Sequence, residues 1–190
     1  MFIQTEATPN PATLKFLPGR TVLEQGSADY REAGDAANSP LAQRLFEIPG
    51  VAGVFFGYDF VTITRDENED TGPDWQHMKP AILGAIMEHF TSGAPVLVDE
   101  TIQQGEGEEF FDDSDSQIVS TIKELLDTRV RPAVAQDGGD IVFRGFKEGT
   151  VYLHMRGACS GCPSSTATLK YGIQNLLRHF IPEVSEVEAV

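Results

Sequence analysis

Two cysteines separated by two residues are the part of this sequence best suited to chemistry. Cys159 and Cys162 are the only cysteines among the 190 residues. The C-x-x-C spacing lets both sulfurs reach one metal centre, as at many iron–sulfur and zinc sites, and it also occurs in dithiol redox sites. Gly157 and Gly161 let the backbone approach a ligand closely. The pair therefore predicts a metal centre or a redox centre.

The predicted surroundings of the pair favour the metal centre. The motif lies between a predicted strand and the start of a predicted helix, where unpaired amide N–H groups and the positive end of the helix dipole favour thiolates over thiols. The same amides can donate hydrogen bonds to the sulfurs of an anionic cluster. Ser160, Ser164 and Ser165 are expected either to cap the helix or to donate hydrogen bonds to the cluster sulfurs.

The number of thiolates decides how such a centre would be built. A [2Fe–2S] or [4Fe–4S] cluster usually has four thiolate ligands, and this chain supplies two. A two-fold dimer doubles the pair to four without any new residue type. We therefore expect a homodimer that holds the cluster between its subunits, at Cys159 and Cys162 of each chain. Such a site opens when the subunits separate, which suits cluster delivery better than permanent electron transfer.

Three other interpretations of the pair stay open. A thiol–disulfide oxidoreductase of the thioredoxin type would use the same spacing, but its order of elements differs and no aromatic residue directly precedes Cys159. A zinc site would recruit His154 or His179, and neither has the spacing of a zinc finger or ribbon. Two buried structural cysteines fit poorly in a loop rich in glycine, serine and proline. The oxidoreductase is the main alternative function.

The elements that must position the pair are predicted in the order α-β-β-α-β. A helix begins at a capping box formed by Ser114 and Gln117 and carries apolar residues at helical spacing. A second helix begins near Ser165 and ends before Pro182. The predicted strands are residues 141–146, 150–155 and 184–190, and the inward residues of the second helix are Leu169, Ile173, Leu176 and Leu177.

Charged residues close to the cysteines have more than one interpretation. Asp137 and Asp140 flank two glycines, and we interpret the four residues as a helix stop and turn instead of an acid/base pair. Arg156 either balances the charge of a cluster or is simply solvated.

The first domain is predicted to be a strand-rich α+β domain without cysteine or a catalytic constellation. One helix begins at Ser39 as its cap, with Pro40 at the first helical position. Another begins near Asp74 and ends before Gly93. Trp75, Met78, Ile82 and Ile86 are predicted to be core residues of this helix, His77 and His89 to be surface or packing residues, and the strands to be residues 2–5, 13–16, 51–56 and 60–64.

Charge divides the chain into three parts. The net charge is −15, of which −7 falls in residues 1–90, −7 in residues 91–114 and −1 in the remainder. The middle part combines acidic residues with glycines and lacks hydrophobic periodicity, which is typical of a linker. We therefore predict an α+β protein of two small domains, residues 1–92 and 115–190, joined by an acidic linker at 93–114 whose Phe110 and Phe111 dock on a domain.

The composition also excludes several classes of partner. An acidic surface repels phosphate backbones and anionic lipids, so we expect neither nucleic acid nor membrane as a partner. No run approaches the roughly 18–20 apolar residues of a membrane-spanning helix. Residues 1–6 lack the features of a secretory signal or an organelle transit peptide, which predicts an intracellular protein or one already trimmed.

Several blocks of residues match one known family. The blocks in the second domain are Arg131-Pro132, Asp137-Gly138-Gly139-Asp140 and the stretch from Gly157 to Ser165, and those in the first domain are Thr8-Pro9-Asn10-Pro11 and Lys15-Phe16. The second domain resembles the C-terminal domain of NifU-like (Nfu-type) iron–sulfur proteins. The first resembles the N-terminal domain of Nfu proteins from proteobacteria and mitochondria. The resemblance therefore spans nearly the whole chain.

This resemblance implies a carrier and not an enzyme. It implies a [4Fe–4S] cluster that bridges a homodimer at Cys159 and Cys162, with a [2Fe–2S] cluster as the alternative. It also implies supply by upstream cluster-assembly factors and transfer to apo-proteins such as lipoyl synthase or aconitase-type enzymes. The cysteine-rich scaffold domain of full-length NifU has no counterpart here, so assembly from cysteine sulfur is not expected. The expected location is the bacterial cytoplasm or, alternatively, the mitochondrial matrix.

Overall fold

The chain folds into two compact units, Met1–Gln104 and Gly105–Val190. The structure is a computed structural model that describes residues 1–67, 73–99, 108–160 and 163–190, with the backbone alone described at 163–165. Each unit has its own sheet and its own hydrophobic core. The predicted α+β class with two small domains is therefore confirmed. Across the described residues, no helix has both the length and the apolar character that crossing a bilayer requires.

The first unit combines an antiparallel sheet with two α-helices. Its elements are β1 (Gln4–Ala7), β2 (Thr13–Leu17), β3 (Ala28–Tyr30), α1 (Pro40–Phe46), β4 (Val51–Phe56), β5 (Val61–Arg65) and α2 (Trp75–Ser92). The strand order is β1-β2-β5-β4-β3. The sheet contributes Phe16 and Ile63 to a core that the helices complete with Leu45, Ile82 and Ile86.

Helix boundaries in this unit follow the predicted signals. The Ala42 amide donates a hydrogen bond of 3.1 Å to the Ser39 hydroxyl, and the His77 amide donates one of 3.1 Å to the Asp74 carboxylate. These are the caps expected at the two helix starts. Helix α2 ends before Gly93 as predicted. Strand β3 and a 3-10 turn at Ala33–Asn38 were not predicted, because neither has a hydrophobic repeat long enough to detect.

The second unit begins with a helix that is interrupted by a wider turn. Its helical elements are α3 (Ser116–Leu125), a π-helical turn (Leu126–Val130) and α4 (Arg131–Gln136). Pro132 has no amide hydrogen, and its ring would clash with the carbonyl four residues earlier in a regular α-helix. The π-helical turn precedes that proline and widens the backbone there.

The predicted capping box at the start of this helix is wrong. Ser114 lies inside a 3-10 turn at Asp113–Asp115, and the N-cap of α3 is Asp115, which makes no side-chain cap bond. The 3-10 turn is closed by the Asp115 amide, which donates a hydrogen bond of 2.8 Å to the Asp112 carbonyl. Because the chain already turns at Ser114, that residue cannot take the extended backbone conformation that an N-cap needs.

A hairpin, a helix and a parallel strand complete the second unit. They are β6 (Gly139–Lys147), β7 (Thr150–Gly157), α5 (Pro163–Phe180) and β8 (Glu186–Ala189). The sheet order is β6-β7-β8, with β7 and β8 parallel. The predicted order α-β-β-α-β is confirmed, and Ile173 and Leu177 face the core as expected. Both hairpin strands are longer than predicted and pair up to Gly139 and Gly157.

The described ends of the predicted linker contact the two units. At the first end, the Ser39 hydroxyl donates a hydrogen bond of 2.6 Å to the Val96 carbonyl. At the second end, Phe110 forms a parallel β-bridge to Gly145, and its ring lies 5.1 Å from the Tyr152 ring. Phe110 thus docks on a domain as predicted. The centre of the predicted linker, residues 100–107, lies outside the described residues.

We predict that Gly145→Ala displaces Phe110 from the sheet. A Cβ atom at Gly145 would lie 2.4 Å from the Phe110 ring, so the ring must leave and its contact with Tyr152 is lost. Aromatic pairs contribute about 0.5–1.5 kcal/mol beyond their burial, and we expect a loss of that order in the free energy of unfolding of this unit. Faster hydrogen exchange at the Phe110 and Phe146 amides measures the displacement. Phe111→Ala is the matched control, and unchanged exchange in Gly145→Ala would contradict the prediction.

Candidate metal centre

Cys159 lies in a tight turn between β7 and α5. Gly157 ends the strand with φ of +66°, a conformation that favours glycine. The Ser160 amide and hydroxyl donate hydrogen bonds of 3.1 and 2.9 Å to the Gly157 carbonyl. The Thr166 hydroxyl, in the first turns of α5, donates one of 2.8 Å to the Cys159 carbonyl. Strand, turn and helix therefore hold the backbone of Cys159 from three directions.

Part of the predicted site is not described. Gly161 and Cys162 lie outside the described residues, and the side chains of Ser164 and Ser165 are likewise undescribed. Cys162 therefore stays a predicted ligand. For Ser160, whose side chain is described, the hydroxyl is engaged with the backbone of the turn.

The sulfur of Cys159 rests against the backbone of Gly139. A Cβ atom at Gly139 would lie 2.8 Å from Cys159 Sγ and 2.6 Å from the Arg156 carbonyl oxygen, which is closer than real Cβ contacts allow. The preceding Gly138 has φ of +83°, and its carbonyl accepts a hydrogen bond of 3.2 Å from the Ala158 amide. Gly139 thus places bare backbone against the thiol, and Gly138 ties that backbone to the cysteine turn; we call these two residues the glycine floor.

The structure gives the Asp137–Asp140 segment its predicted role and an additional one. Helix α4 ends at Gln136 and Asp137 is its C-cap, so the helix stop is confirmed. The additional role, support of the cysteine sulfur by Gly139, was missed. The only signal for it was the second glycine, because one glycine is sufficient to end a helix.

Asp140 is bound by an arginine from α4. Arg131 Nε and Nη2 each lie 2.9 Å from one carboxylate oxygen of Asp140, and Arg131 Nη1 donates a hydrogen bond of 3.1 Å to Asp127. The hydrogen bonds to Asp140 raise the pKa of Arg131 above its ordinary value, against the opposite effect of burial. Two-point contacts between guanidinium and carboxylate are strong and directional. This contact fastens α4 to the first residues of β6.

The thiol of Cys159 is held in its protonated form. Burial, reinforced by the negative charges of Asp137 and Asp140, raises the pKa of Cys159 to about 12. The side chain belongs to the hydrophobic core and is 7% exposed. The prediction that the helix terminus would favour the thiolate is therefore wrong for Cys159, because loss of water and two carboxylates outweigh a helix end.

Arg156 is buried beside the cysteine turn. Its residue exposure is 8%, which contradicts the interpretation that it is simply solvated. Arg156 pairs with Asp140 across the hairpin, so its backbone is fixed directly next to the glycine floor. Its role in balancing cluster charge stays a prediction.

No complete metal site exists within the part of the chain that the structure describes. No group of three or more His, Cys, Asp or Glu residues is disposed to hold a metal ion there. His154 Nδ1 lies 2.8 Å from the Val190 carbonyl oxygen, and the His179 ring packs at 5.0 Å on Phe180. His77 is exposed and His89 is buried against Phe90. Cys159 therefore needs ligands from outside these residues to complete a centre.

Comparisons with known proteins relate both units to Nfu and NifU-like proteins. Residues 3–93 match the family described as scaffold protein Nfu/NifU N terminal, and residues 122–188 match the NifU-like domain. The chain is 51% identical over 190 residues to the mitochondrial NFU1 iron-sulfur cluster scaffold homolog of Homo sapiens, covering all of this chain and 72% of that protein. It is 49% identical to the mitochondrial NifU-like protein 4 of Arabidopsis thaliana, covering 99% of this chain and 65% of that protein.

The chain thus spans about two thirds of the length of these relatives. Among solved structures, it is similar to a NifU-like protein from Saccharomyces cerevisiae. That similarity has a TM-score of 0.46 and 29% sequence identity, and it covers 53% of this chain and 87% of the yeast chain.

We predict that Gly139→Ala destabilises the second unit. The added methyl group overlaps the Arg156 carbonyl and the Cys159 sulfur, and overpacking of this kind costs about 1–3 kcal/mol. Denaturant unfolding measures the loss. Gly172→Ala is the matched control, because a Cβ atom there meets nothing within 4 Å and alanine in a helix is favoured by about 1 kcal/mol. Equal stability of Gly139→Ala and the unmodified chain would refute the glycine floor.

We also predict slow alkylation of Cys159. In metal-free Cys162→Ser protein at pH 8, iodoacetamide should modify the folded chain at least about a hundredfold more slowly than the denatured chain, since only the thiolate reacts. The pKa of Cys159 is raised from its ordinary value of 9.0. The thiolate fraction, and with it the rate, should therefore keep rising about tenfold per pH unit above pH 9. A plateau near pH 9 would contradict this prediction.

Proposed function

Since the chain belongs to the Nfu family of iron–sulfur cluster scaffold proteins, we propose that it carries an iron–sulfur cluster between two copies of itself and delivers the cluster to apo-proteins. Family membership supports the scaffold role in general terms. The bridging of a homodimer, the ligands Cys159 and Cys162 and the delivery step are the specific parts of the proposal. The cargo is a [4Fe–4S] cluster, with [2Fe–2S] as the alternative.

The observation that carries this proposal is the incomplete ligand set around Cys159. The chain has two cysteines in all, and the described residues contain no group of three or more His, Cys, Asp or Glu side chains that could hold a metal ion. Four thiolates are usual for either type of cluster. A second copy of the chain is the simplest source of the missing two, since a two-fold axis repeats the same pair.

The residues around Cys159 suit temporary binding. At the glycine floor the sulfur lies against the backbone of Gly139, and the raised pKa means that a proton leaves Cys159 when iron binds and returns when iron departs. The metal-free carrier therefore keeps its thiol protonated and shielded from solvent. Protein groups bind, orient and protonate the sulfur here, and no step requires a catalytic side chain. We propose that the chain is not an enzyme.

The partners follow from the same function. We propose upstream cluster-assembly factors as donors and apo-proteins of the lipoyl synthase or aconitase type as recipients. The first unit, which contains no cysteine, is proposed to help select recipients. Several relatives are named as mitochondrial, which favours the mitochondrial matrix over the bacterial cytoplasm as the location.

A thiol–disulfide oxidoreductase is the less favourable alternative. Its first cysteine must be a thiolate near neutral pH to attack a disulfide, whereas burial and two carboxylates raise the pKa of Cys159 to about 12. An insulin-reduction assay on metal-free protein separates the two functions, because robust turnover would support the oxidoreductase.

We predict that anaerobic reconstitution with iron and sulfide gives a brown dimer with about two iron atoms per chain, because one four-iron cluster is shared by two chains. Iron analysis, Mössbauer spectroscopy and light scattering measure content, cluster type and size. Cys162→Ser should lose the colour and shift the protein toward monomer. Ser160→Ala is the matched control and should retain the cluster. Unmodified protein that stays colourless and iron-free would refute the proposed function.

A further inference from the structure

We propose that the outer edge of strand β6 is a docking site for an acidic segment of a partner protein that carries a phenylalanine. In the structure this site is filled by the chain's own Glu109 and Phe110, which show what it recognises. The site uses no residue of the cysteine turn, so the inference does not depend on the proposed cluster binding. It adds a surface through which the chain can meet other proteins.

The backbone of Phe110 is held as an added strand. Its amide donates a hydrogen bond of 3.1 Å to the Arg144 carbonyl, and its carbonyl accepts one of 2.9 Å from the Phe146 amide. Addition of an extended segment to a sheet edge is a common mode of peptide recognition, in which main-chain hydrogen bonds give affinity and side-chain pockets give specificity. The segment therefore docks as the strand of a partner would.

Gly145 makes room for the aromatic ring. A Cβ atom at this position would lie 2.4 Å from the Phe110 ring, so a larger residue would exclude the ring. The Tyr152 ring, on the neighbouring strand β7, lies 5.1 Å from the Phe110 ring, which is in the range of favourable aromatic pairs. The register of the hairpin shifts between Phe143 and Gly145, and shifts of this kind redirect side chains at sheet edges. The site thus fits an aromatic residue at the bridged position.

Lys123 gives the site its preference for acidic segments. Its ammonium group forms an ion pair with Glu109, and the same group lies 5.5 Å from the centre of the Phe143 ring, which helps to hold it in place. The Lys123 and Glu109 side chains are 41% and 34% exposed, so this pair contributes selectivity more than strength. An acidic residue directly before the aromatic residue is therefore the second feature that a partner needs.

The chain's own segment makes a contact that a partner can displace. Phe110 is 45% exposed, its ion-paired neighbour lies at the surface, and its backbone forms an isolated bridge. A segment joined to the site by its own chain needs little affinity, because the linkage keeps its effective concentration in the millimolar range. The segment thus masks the site, and a partner strand with further contacts takes its place.

The experiment opens the site and offers the segment as a separate peptide. The probe is a fluorescent peptide with the sequence of residues 108–113, Glu-Glu-Phe-Phe-Asp-Asp, and the protein is the 190-residue chain with Phe110→Ala. We expect fluorescence anisotropy to show at least about tenfold tighter binding to Phe110→Ala than to the unmodified chain, because occupancy by the chain's own segment above about nine-tenths weakens the apparent affinity by that factor. The Phe146 amide should exchange faster in Phe110→Ala and regain protection when the peptide is added.

Further variants test each feature of recognition. Gly145→Ala, added to Phe110→Ala, should abolish binding, because its methyl group takes the place of the ring. Lys123→Met in the same background should weaken binding about two- to fivefold, whereas Arg178→Met, which removes an exposed arginine from α5, is the control for net charge and should not change it. In the peptide, alanine in place of the first phenylalanine should prevent binding, and alanine in place of the second should not.

Three results would overturn the inference while leaving the proposed function intact. One is a folded Phe110→Ala chain, verified by thermal unfolding, that does not bind the peptide, because the segment then only covers the sheet edge. Another is equal binding with and without Gly145→Ala, which would place the peptide elsewhere. The third is binding of the unmodified chain to Phe110→Ala as tightly as the peptide binds, which would assign the site to a second copy.

A measurement on the unmodified chain covers the case in which Phe110→Ala does not fold. The peptide is then added at millimolar concentration, and the NMR signal of the Phe146 amide is followed. A shift that saturates with peptide supports the site, and an unchanged signal contradicts it. None of these measurements requires iron, so failure of the chain to load a cluster would bear on the proposed function alone.

Discussion

The contact between the Cys159 sulfur and the backbone of Gly139 is the constraint on which the rest of the second unit depends. For the sulfur to lie there, the pairing of the hairpin must extend to Gly139, the first residue of β6, and Gly157, the last residue of β7. Helix α4 must end at Gln136, and α5 must begin soon after the cysteine turn. The end of β7 and the start of α5 lie next to the motif in the sequence, whereas the end of α4 and the start of β6 are brought to it by the pairing of the hairpin. The fold therefore positions one sulfur by bringing the ends of four elements to the same place.

The surroundings of Cys159 also explain why its thiol is protected in the metal-free chain. Core burial and neighbouring carboxylates raise the pKa of its thiol, so Cys159 of the metal-free chain supplies little thiolate to be oxidised or to attack a disulfide. The site is nevertheless at the edge of the core, next to a turn rich in glycine. In the proposed carrier role, a sulfur that readily regains its proton favours release of the cargo.

Much of this arrangement could be predicted from the sequence. The C-x-x-C spacing, the caps at Ser39 and Asp74 and the helical repeat of α5 are local signals with direct physical causes, and the structure contains the predicted caps and helix. Effects of residues outside a local motif could not be predicted in the same way. The spacing of Ser114 and Gln117 matches a capping box, but Ser114 lies in a 3-10 turn instead. The position of Cys159 before a helix favours a thiolate, but burial and the charges of Asp137 and Asp140 raise its pKa. In both cases a neighbour that the local pattern does not contain decided the outcome.

The β-bridge of Phe110 has a consequence for how the protein avoids unwanted association. Strand β6 is the outermost strand of its sheet, and its free side would otherwise present unpaired peptide groups that can template aggregation. Phe110 satisfies the Arg144 carbonyl and the Phe146 amide on that side. This single bridge occupies two peptide groups on the open side of β6 and reduces the chance that a strand of another molecule pairs there.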